Sequence, residues 1–242
     1  FGTYDGEIIY EGEVQQFNKI NDSVEAGIVI IHQELALFPD LTIYENIFAG
    51  NEIKQGGLIN WNKTVVEANK VLEKVNLKVN PESLVKELGV GKRQLIEIAK
   101  ALSKDVKLLI LDEPTAALNE DDSENLLKLI DGLRNQGISC IMISHKLKEV
   151  ISIADSVTVI RDGQTIVTLS ASKNEITEDV IIRNMVGRQI QDIYPKRNKN
   201  ISDEKVLELK NWSAYDPKIG RYVAKNVNMY VRKGEIIGLA GL

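Results

Sequence analysis

The sequence predicts an α/β fold built on a mostly parallel core sheet. Two observations predict this class: apolar runs of strand length recur along the chain, and amphipathic helical patterns lie between several of them. Strands that alternate with helices pair in parallel, and they are apolar on both faces because helices cover both sides of the sheet. A third observation, an Asp-Gly pair between two short strands, predicts a local antiparallel hairpin.

The predicted elements follow in chain order. Strands are expected at residues 7–10, 27–31, 107–111, 139–144, 156–161 and 164–169. Helices are expected at residues 64–75, 92–103, 120–135 and 146–154, where apolar side chains recur at intervals of three and four residues. Asp162 and Gly163 mark the hairpin turn between the last two strands.

The chain is predicted to contain parts of two domains. Residues 1–190 form the first, in which residues 52–104 make a helical subdomain. The segment 191–204 is expected to be a linker, because it contains a polar, basic and proline-marked stretch. Further strands are expected at residues 206–209, 227–231 and 235–239 with no helix between them, so residues 205–242 are expected to begin a second domain.

Composition excludes several classes of protein. With 242 residues, 43% of them apolar and 27% charged, the chain can bury a sizeable core. The formal net charge of -5 gives no overall attraction to nucleic acid, and no nucleic-acid partner is expected. The longest apolar runs fall far short of the roughly 20 residues that a membrane-spanning helix needs. A single cysteine, Cys140, excludes an internal disulfide.

Asp112 and Glu113 end an apolar strand, at the edge where open α/β sheets bind their ligands. Neighbouring strand residues point to opposite sides, so the two carboxylates can have different roles. We assign Mg²⁺ binding to Asp112 and polarisation of an attacking water to Glu113. The alternative is that these residues, with Pro114, begin a helix that has an acidic first turn.

Gln33 and His145 also follow apolar strands and are expected at the same edge. The Gln33 amide oxygen can bind Mg²⁺ and orient the attacking water. His145 can donate a hydrogen bond to a γ-phosphate oxygen, although a lone histidine is more often a packing or capping residue.

A glycine-containing turn at residues 87–94 leads into a predicted helix. Gly89 and Gly91 allow backbone N–H groups to approach an anion, and the positive end of the helix dipole favours a phosphate there. A simple turn is the alternative interpretation of the same residues.

Taken in order, these features resemble the motifs of the nucleotide-binding domain of ABC transporter ATPases. The resemblance identifies Gln33 with the Q-loop, Leu88-Gly-Val-Gly-Lys92 with the signature motif, residues 108–112 with the Walker B strand, Glu113 with the catalytic base, Ala116-Ala-Leu-Asn119 with the D-loop and His145 with the switch histidine. It covers residues 1 to about 187, and it extends to the tandem-domain ATPase subunits of bacterial monosaccharide importers.

Two motifs depart from the common family pattern. In the signature motif, Gly89, Val90 and Lys92 stand in place of serine, glycine and glutamine, and in the D-loop Asn119 stands in place of aspartate. The resemblance implies that Gly89, Val90, Gly91, Lys92 and Asn119 complete the nucleotide site of an opposite domain. Lys92 could supply charge where the serine hydroxyl is missing.

The 242 residues contain no Gly-x-x-x-x-Gly-Lys-Ser/Thr loop, whose backbone amides and lysine bind the β- and γ-phosphates. The resemblance places this Walker A loop shortly before the strand at residues 7–10 and, in the second domain, from Gly241 onward. Both ends look cut, so we expect a truncated piece of a tandem protein that lacks the first Walker A part.

The resemblance implies ATP and Mg²⁺ as ligands, and a subunit that couples ATP hydrolysis to sugar uptake. Its partners are an integral-membrane permease and, through it, a periplasmic or extracellular sugar-binding protein. Its location is peripheral, on the cytoplasmic face of the membrane. The alternatives are a soluble ABC-type ATPase that acts on ribosomes or DNA and, for this chain by itself, a non-enzymatic docking fragment.

Overall fold

The computed structural model describes residues 5–187 and 201–239 and divides the chain into two compact units, Phe1–Arg188 and Gln189–Leu242. The strands of the first unit are β1 (Ile8–Tyr10), β2 (Glu13–Gln15), β3 (Ile28–Ile31), β4 (Lys54–Gln55), β5 (Leu58–Ile59), β6 (Leu108–Asp112), β7 (Ser139–Ile143), β8 (Ser156–Arg161) and β9 (Gln164–Ser170). Its helices are α1 (Ile20–Glu25), α2 (Ile43–Phe48), α3 (Trp61–Lys74), α4 (Val90–Leu102), α5 (Glu120–Asn135), α6 (Leu147–Ile153) and α7 (Glu178–Val186).

Three strands form the parallel sheet that the sequence predicts, in the order β3-β6-β7. Leu111 of β6 pairs with Ile31 of β3 on one side and with Met142 of β7 on the other. The strands therefore lie in register and end at the same edge. This sheet, the helices between its strands and the antiparallel hairpins around it confirm the predicted α/β class.

One face of the parallel sheet carries the main core. Val29, Leu109 and Leu111 are at most 8% exposed, and α4 packs against β3 while α5 packs against β7. Ile141 and Ile143, on the opposite face, are about half exposed. Ile28 and Ile110, also on that face, are partly buried, so within the described part of the chain the second face is covered only in part.

Three helices, α2, α3 and α4, pack against one another and continue this core. The side chains of Ile43, Ala68 and Ile98 are fully buried between them. Helix α2 begins with a capping box, in which the Glu45 N–H donates to the Thr42 hydroxyl while the Glu45 carboxylate accepts from the Thr42 N–H. Across the described ranges, no helix combines the length and apolar character that crossing a bilayer requires.

The first unit contains one antiparallel hairpin that the turn residues predict and another that they do not. β8 and β9 pair in the predicted antiparallel hairpin, and Asp162 and Gly163 both have left-handed backbones, with φ of 52° and 75°. The strand predicted at residues 7–10 pairs with β2 in a second hairpin that the sequence did not indicate. Its turn places Glu11 and Gly12 at φ of 53° and 84°, and Glu-Gly is not one of the dipeptides that signal such turns.

The second unit, in its described residues 201–239, contains one long antiparallel hairpin. Its strands β10 (Lys205–Asp216) and β11 (Arg221–Arg232) extend well beyond the strands predicted at residues 206–209 and 227–231. The strand predicted at residues 235–239 is wrong: the segment has no strand conformation, and Ile236 and Leu239 are 75% and 83% exposed. An apolar run becomes a strand only where a neighbouring strand supplies hydrogen bonds.

Asn46 fixes the loop before α2. Its side chain is fully buried, and its amide oxygen accepts from the Phe38 N–H at 2.7 Å. Its amide nitrogen donates to the carbonyls of Phe38 at 3.0 Å and Thr42 at 2.9 Å. One side chain thus satisfies backbone groups on both sides of the loop.

Replacing Asn46 with alanine is expected to lower the free energy of unfolding by about 2 kcal/mol, because partly buried backbone groups lose their partners. Urea denaturation measures this change. Asn69→Ala, at an exposed position of α3, is the matched control and should change the value by less than about 0.5 kcal/mol. Equal effects of the two substitutions would contradict the role of Asn46.

Candidate active site

The segments that follow the three parallel strands leave the sheet at one edge. Asp112, the last residue of β6, pairs with Ile143, the last residue of β7. Gln33 lies just after β3, Glu113 directly after β6, and His145 just after β7. The residues that the sequence assigns to this edge therefore lie near one another in the first unit.

Glu113 occupies a left-handed turn and not a strand position. Its φ is 46°, a conformation that costs a residue with a side chain about 1 kcal/mol. The Glu113 N–H donates to the Ile143 carbonyl at 2.9 Å, and the Glu113 carbonyl accepts from the Ala116 N–H at 3.1 Å. The sequence prediction assumed that Glu113 continues the strand and points to the side opposite Asp112. This assumption is wrong, because β6 ends at Asp112 and the turn sets the direction of the Glu113 side chain.

The Glu113 carboxylate is held by His145. Oxygen Oε1 accepts from the His145 backbone N–H at 3.1 Å and lies 2.8 Å from the ring nitrogen Nδ1. The Glu113 side chain is 17% exposed, whereas that of His145 is 72% exposed. Oxygen Oε2 is buried and has no hydrogen-bond partner among the described residues. One carboxylate oxygen is therefore fixed, and the other retains its capacity to accept a hydrogen bond.

A cavity of about 370 Å³ lies in front of Glu113. It brings together Gln33 and Glu113, which are far apart in the sequence and which the sequence analysis assigned to one site. The residues that line it are Gln33, Glu34, Gln94, Glu113, Pro114, Ala116 and Ala117. Asp112, Asn119, His145 and the turn at residues 89–92 do not line this cavity.

Gln94 is a cavity residue that the sequence analysis did not assign. It is only 6% exposed and lies on α4, four residues before the fully buried Ile98. A polar side chain on the buried face of a helix was the signal that could have identified it, since buried amides need partners. Glu34 also lines the cavity, and its exposed position after β3 carried no comparable signal.

The glycine turn forms the first turn of α4. Gly89 is the N-cap residue, and the helix begins at Val90, two residues earlier than predicted. The sequence analysis placed the start at Lys92 from the three-and-four spacing of apolar side chains, and Val90 and Gly91 precede that pattern. A Cβ atom on Gly91 would lie 2.6 Å from a carboxylate oxygen of Asp122, so the missing side chain makes room for α5.

Asn119 has a structural role in this chain. It is the N-cap of α5, and its side-chain oxygen accepts from the Asp122 N–H at 2.8 Å. This contact satisfies one of the free N–H groups at the start of α5, and the side chain of Asp122 lies against Gly91 in the first turn of α4.

Asp112 and Gln33 are the residues predicted to bind Mg²⁺. Asp112 is partly buried at the end of β6, and Gln33 is exposed after β3. Within residues 5–187 and 201–239, no group of three or more His, Cys, Asp or Glu side chains is placed to hold a metal ion. The Asp112 carboxylate and the Gln33 amide oxygen suit Mg²⁺, which binds proteins through one or two carboxylates and completes its shell with water and substrate phosphates.

Helix α4 also holds the segment that carries Gln33. The Lys100 ammonium donates to the Ala36 carbonyl at 3.0 Å.

Glu97, one turn before Lys100 on α4, is 8% exposed, and its oxygen Oε1 has no hydrogen-bond partner among the described residues. Burial raises the pKa of the Glu97 carboxyl, against the opposing effects of Lys100, the Ala36 backbone and His32.

Known proteins share both the sequence and the fold. Residues 2–116 match a family model described as ABC transporter. Over its whole length the chain is 58% identical to the L-arabinose transport ATP-binding protein AraG of Geobacillus stearothermophilus and 50% identical to the xylose import ATP-binding protein XylG of Moorella thermoacetica. It covers 47% and 48% of these two proteins, so the chain spans about half the length of the curated relatives it matches.

Solved structures of low sequence identity have the same fold. One is the ADP conformation of MJ1267, an ATP-binding cassette of an ABC transporter, with a TM-score of 0.65 and 23% identity over 76% of this chain and 78% of that one. Another is CbiO1 from Clostridium perfringens, part of the ABC transporter complex CbiONQ, with a TM-score of 0.62 and 23% identity over 76% of this chain and 73% of that one.

Replacing Glu97 with glutamine is expected to stabilise the chain at neutral pH. Because the folded-state pKa is raised, the folded state binds more protons than the unfolded state, and stability falls as pH rises from the unfolded pKa through the folded pKa. The amide mimics the protonated carboxyl and removes this loss. We expect a higher urea midpoint than wild type at pH 7 and equal midpoints below the ordinary glutamate pKa.

Glu73→Gln, at an exposed position of α3, is the control for that comparison and should leave the midpoint unchanged at both pH values. A Glu97→Gln midpoint equal to wild type at pH 7 would show that burial does not disfavour the charged carboxylate.

Proposed function

We propose, because this chain belongs to the ABC transporter family, that the protein containing it couples ATP hydrolysis to the import of a monosaccharide. The names of its relatives support the cargo class, since L-arabinose and xylose are both monosaccharides. The 58% identity to an arabinose transport protein and the 50% identity to a xylose import protein extend over the whole chain.

The hydrogen bonding and burial of the two Glu113 carboxylate oxygens are the observation that supports the hydrolytic role. One oxygen is fixed by two contacts with His145. The other is buried and has no hydrogen-bond partner among residues 5–187 and 201–239, and Glu113 itself lines a cavity. A carboxylate held in this way can accept a hydrogen bond from a water and polarise it for attack on a phosphate. Gln33, across the same cavity, can orient that water through its amide.

Asp112 and Gln33 are the residues that we propose to hold Mg²⁺, which neutralises phosphate charge when ATP is bound. The signature turn, Gly89, Val90, Gly91 and Lys92, is proposed to contact nucleotide held by an opposite domain, together with Asn119. Gly89 and the first turn of α4 support this assignment, because N–H groups at a helix start favour an anion. His145 is proposed to respond to the γ-phosphate as well as to hold Glu113.

We also propose a tandem arrangement for the whole protein. Residues 1–190 form one nucleotide-binding domain and residues 205–242 begin a second. The separate compact unit that starts at Gln189 supports this division. Most of the proposed linker 191–204, and the position from Gly241 at which a second Walker A loop would start, lie outside the described residues.

The proposed partners are integral-membrane permease subunits and, through them, a sugar-binding protein outside the cell membrane. The protein would then lie peripherally on the cytoplasmic face of that membrane. The relatives named as transport and import ATP-binding proteins support this setting. The formal net charge of -5 favours it over a nucleic-acid partner.

Replacing Glu113 with glutamine tests the hydrolytic role in the full-length protein. We expect ATP turnover to fall by at least about 100-fold, because the amide cannot accept a proton from water, while ATP binding is retained. Phosphate release and nucleotide-binding assays measure the two quantities. Glu120→Gln, at an exposed position in the first turn of α5, is the control. Unchanged turnover in Glu113→Gln would remove Glu113 from the role of base.

The cargo is tested with the permease reconstituted in vesicles. We expect uptake of radiolabelled L-arabinose or D-xylose to depend on ATP and to be lost in Glu113→Gln. Turnover that responds to ribosomes or DNA, with no sugar uptake, would favour a soluble ABC-type ATPase instead.

This 242-residue chain by itself is expected to show no measurable ATP turnover, because its sequence has no glycine-lysine loop to bind the β- and γ-phosphates. Steady phosphate release by the purified chain that Glu113→Gln abolishes would contradict this expectation. Release that Glu113→Gln does not change would point to a contaminating enzyme.

A further inference from the structure

Behind Glu113, the segments after β6 and β7 are joined by a cluster of three residues, Thr115, Lys146 and Glu149, which we call the lysine clamp. Thr115 lies two residues after Glu113, and Lys146 directly follows His145. Glu149 is on α6, one turn after Lys146. None of these residues is among the site residues predicted from the sequence, and none of them lines the cavity.

The clamp is a closed set of contacts. The Lys146 ammonium donates to the Thr115 carbonyl at 2.7 Å and lies 3.4 Å from Oε1 of Glu149. The Thr115 hydroxyl donates to the other carboxylate oxygen, Oε2 of Glu149. Each residue of the clamp therefore contacts both others, and the contacts join the two segments that carry Glu113 and His145.

The clamp is partly shielded from solvent. Thr115 is fully buried, and the side chains of Lys146 and Glu149 are 33% and 16% exposed. Hydrogen bonds to charged groups are stronger than those between neutral groups, and removal of one partner leaves the others unsatisfied in a poorly solvated place. The same cluster on an open surface would contribute little, because water competes for each group.

The backbone of Glu113 needs such support. Its left-handed φ of 46° is a strained conformation that persists only where the surroundings fix it. The hydrogen bond from its own N–H to Ile143 fixes the turn on one side. The lysine clamp fixes Thr115 on the other side, and the Lys146 N–H donates to the Ser144 hydroxyl at 3.0 Å, which orders the segment around His145.

We propose that the lysine clamp positions the Glu113 carboxylate against His145, in the arrangement from which Glu113 polarises a water. Thr115, Lys146 and Glu149 are positioning residues that act through Glu113. The catalytic part of this proposal rests on the hydrolytic function proposed above. The positional part concerns this chain alone and is tested without ATP.

The positional test measures hydrogen exchange at the His145 amide by NMR, since that N–H donates to Glu113 Oε1. In Lys146→Met, which keeps the length of the side chain and removes its charge, we expect this amide to exchange about tenfold faster. The Leu109 amide, in the buried centre of β6, is the internal reference and should keep its rate. Lys148→Met, at an exposed position of α6, is the matched control.

The catalytic test measures steady ATP turnover by the full-length protein. Displacing a reacting group by a fraction of an ångström to one ångström lowers the rate on the order of 10- to 100-fold, so Lys146→Met should lower kcat by that factor with KM for ATP unchanged within about twofold. Thr115→Val removes the hydroxyl contact to Glu149 and should also lower kcat. Thr115→Ser keeps that hydroxyl and should restore most of the rate.

The outcomes separate the two proposals. If Lys146→Met leaves the His145 amide exchange at the wild-type rate, the positioning role is overturned whatever the turnover. If exchange rises but kcat is unchanged in a protein whose turnover Glu113→Gln abolishes, the clamp does not serve catalysis and the proposal is overturned. If Glu113→Gln does not lower turnover, the hydrolytic function fails, and the exchange experiment still decides the positional role.

Discussion

The parallel pairing of β3, β6 and β7 is the constraint on which the rest of the first unit depends. Parallel strands need long connections, and these connections form the helices that bury one face of the sheet. The same pairing makes the strands end at one edge, so that Gln33, Glu113 and His145 lie near one another although they are far apart in the sequence. Ligand sites of open α/β sheets lie at such edges for this reason.

At this edge, the end of β6 sets the position of the Glu113 carboxylate. The strand stops at Asp112, and the left-handed backbone of Glu113 turns its carboxylate to His145. The strain of this turn is offset by hydrogen bonds on both of its sides, to Ile143 and through Thr115. That local arrangement leaves the carboxylate with one oxygen fixed by His145 and the other without a hydrogen-bond partner in the described part of the chain.

Helix α4 connects two parts of the candidate site. Its first turn contains Gly91 in contact with Asp122 at the start of α5, its next turn places Gln94 in the cavity, and its last turn binds the Ala36 carbonyl through Lys100. Because one continuous helix carries all three contacts, the turn at residues 89–92 and the segment after Gln33 keep a fixed relation to each other. The same helix also carries the buried Glu97, and burial raises the pKa of its carboxyl.

The sequence by itself determined the class of fold, the three parallel strands to within one or two residues, the Asp-Gly hairpin and the chemical types of the edge residues. These features follow from periodicity and turn chemistry, which act over a few neighbouring residues. Only the tertiary structure decided that residues 235–239 form no strand, that Glu113 leaves β6 in a left-handed turn, that Gln94 lines the cavity and that Lys146 reaches Thr115. Each of these outcomes depends on which distant segment packs alongside, and a local pattern carries no information about that partner.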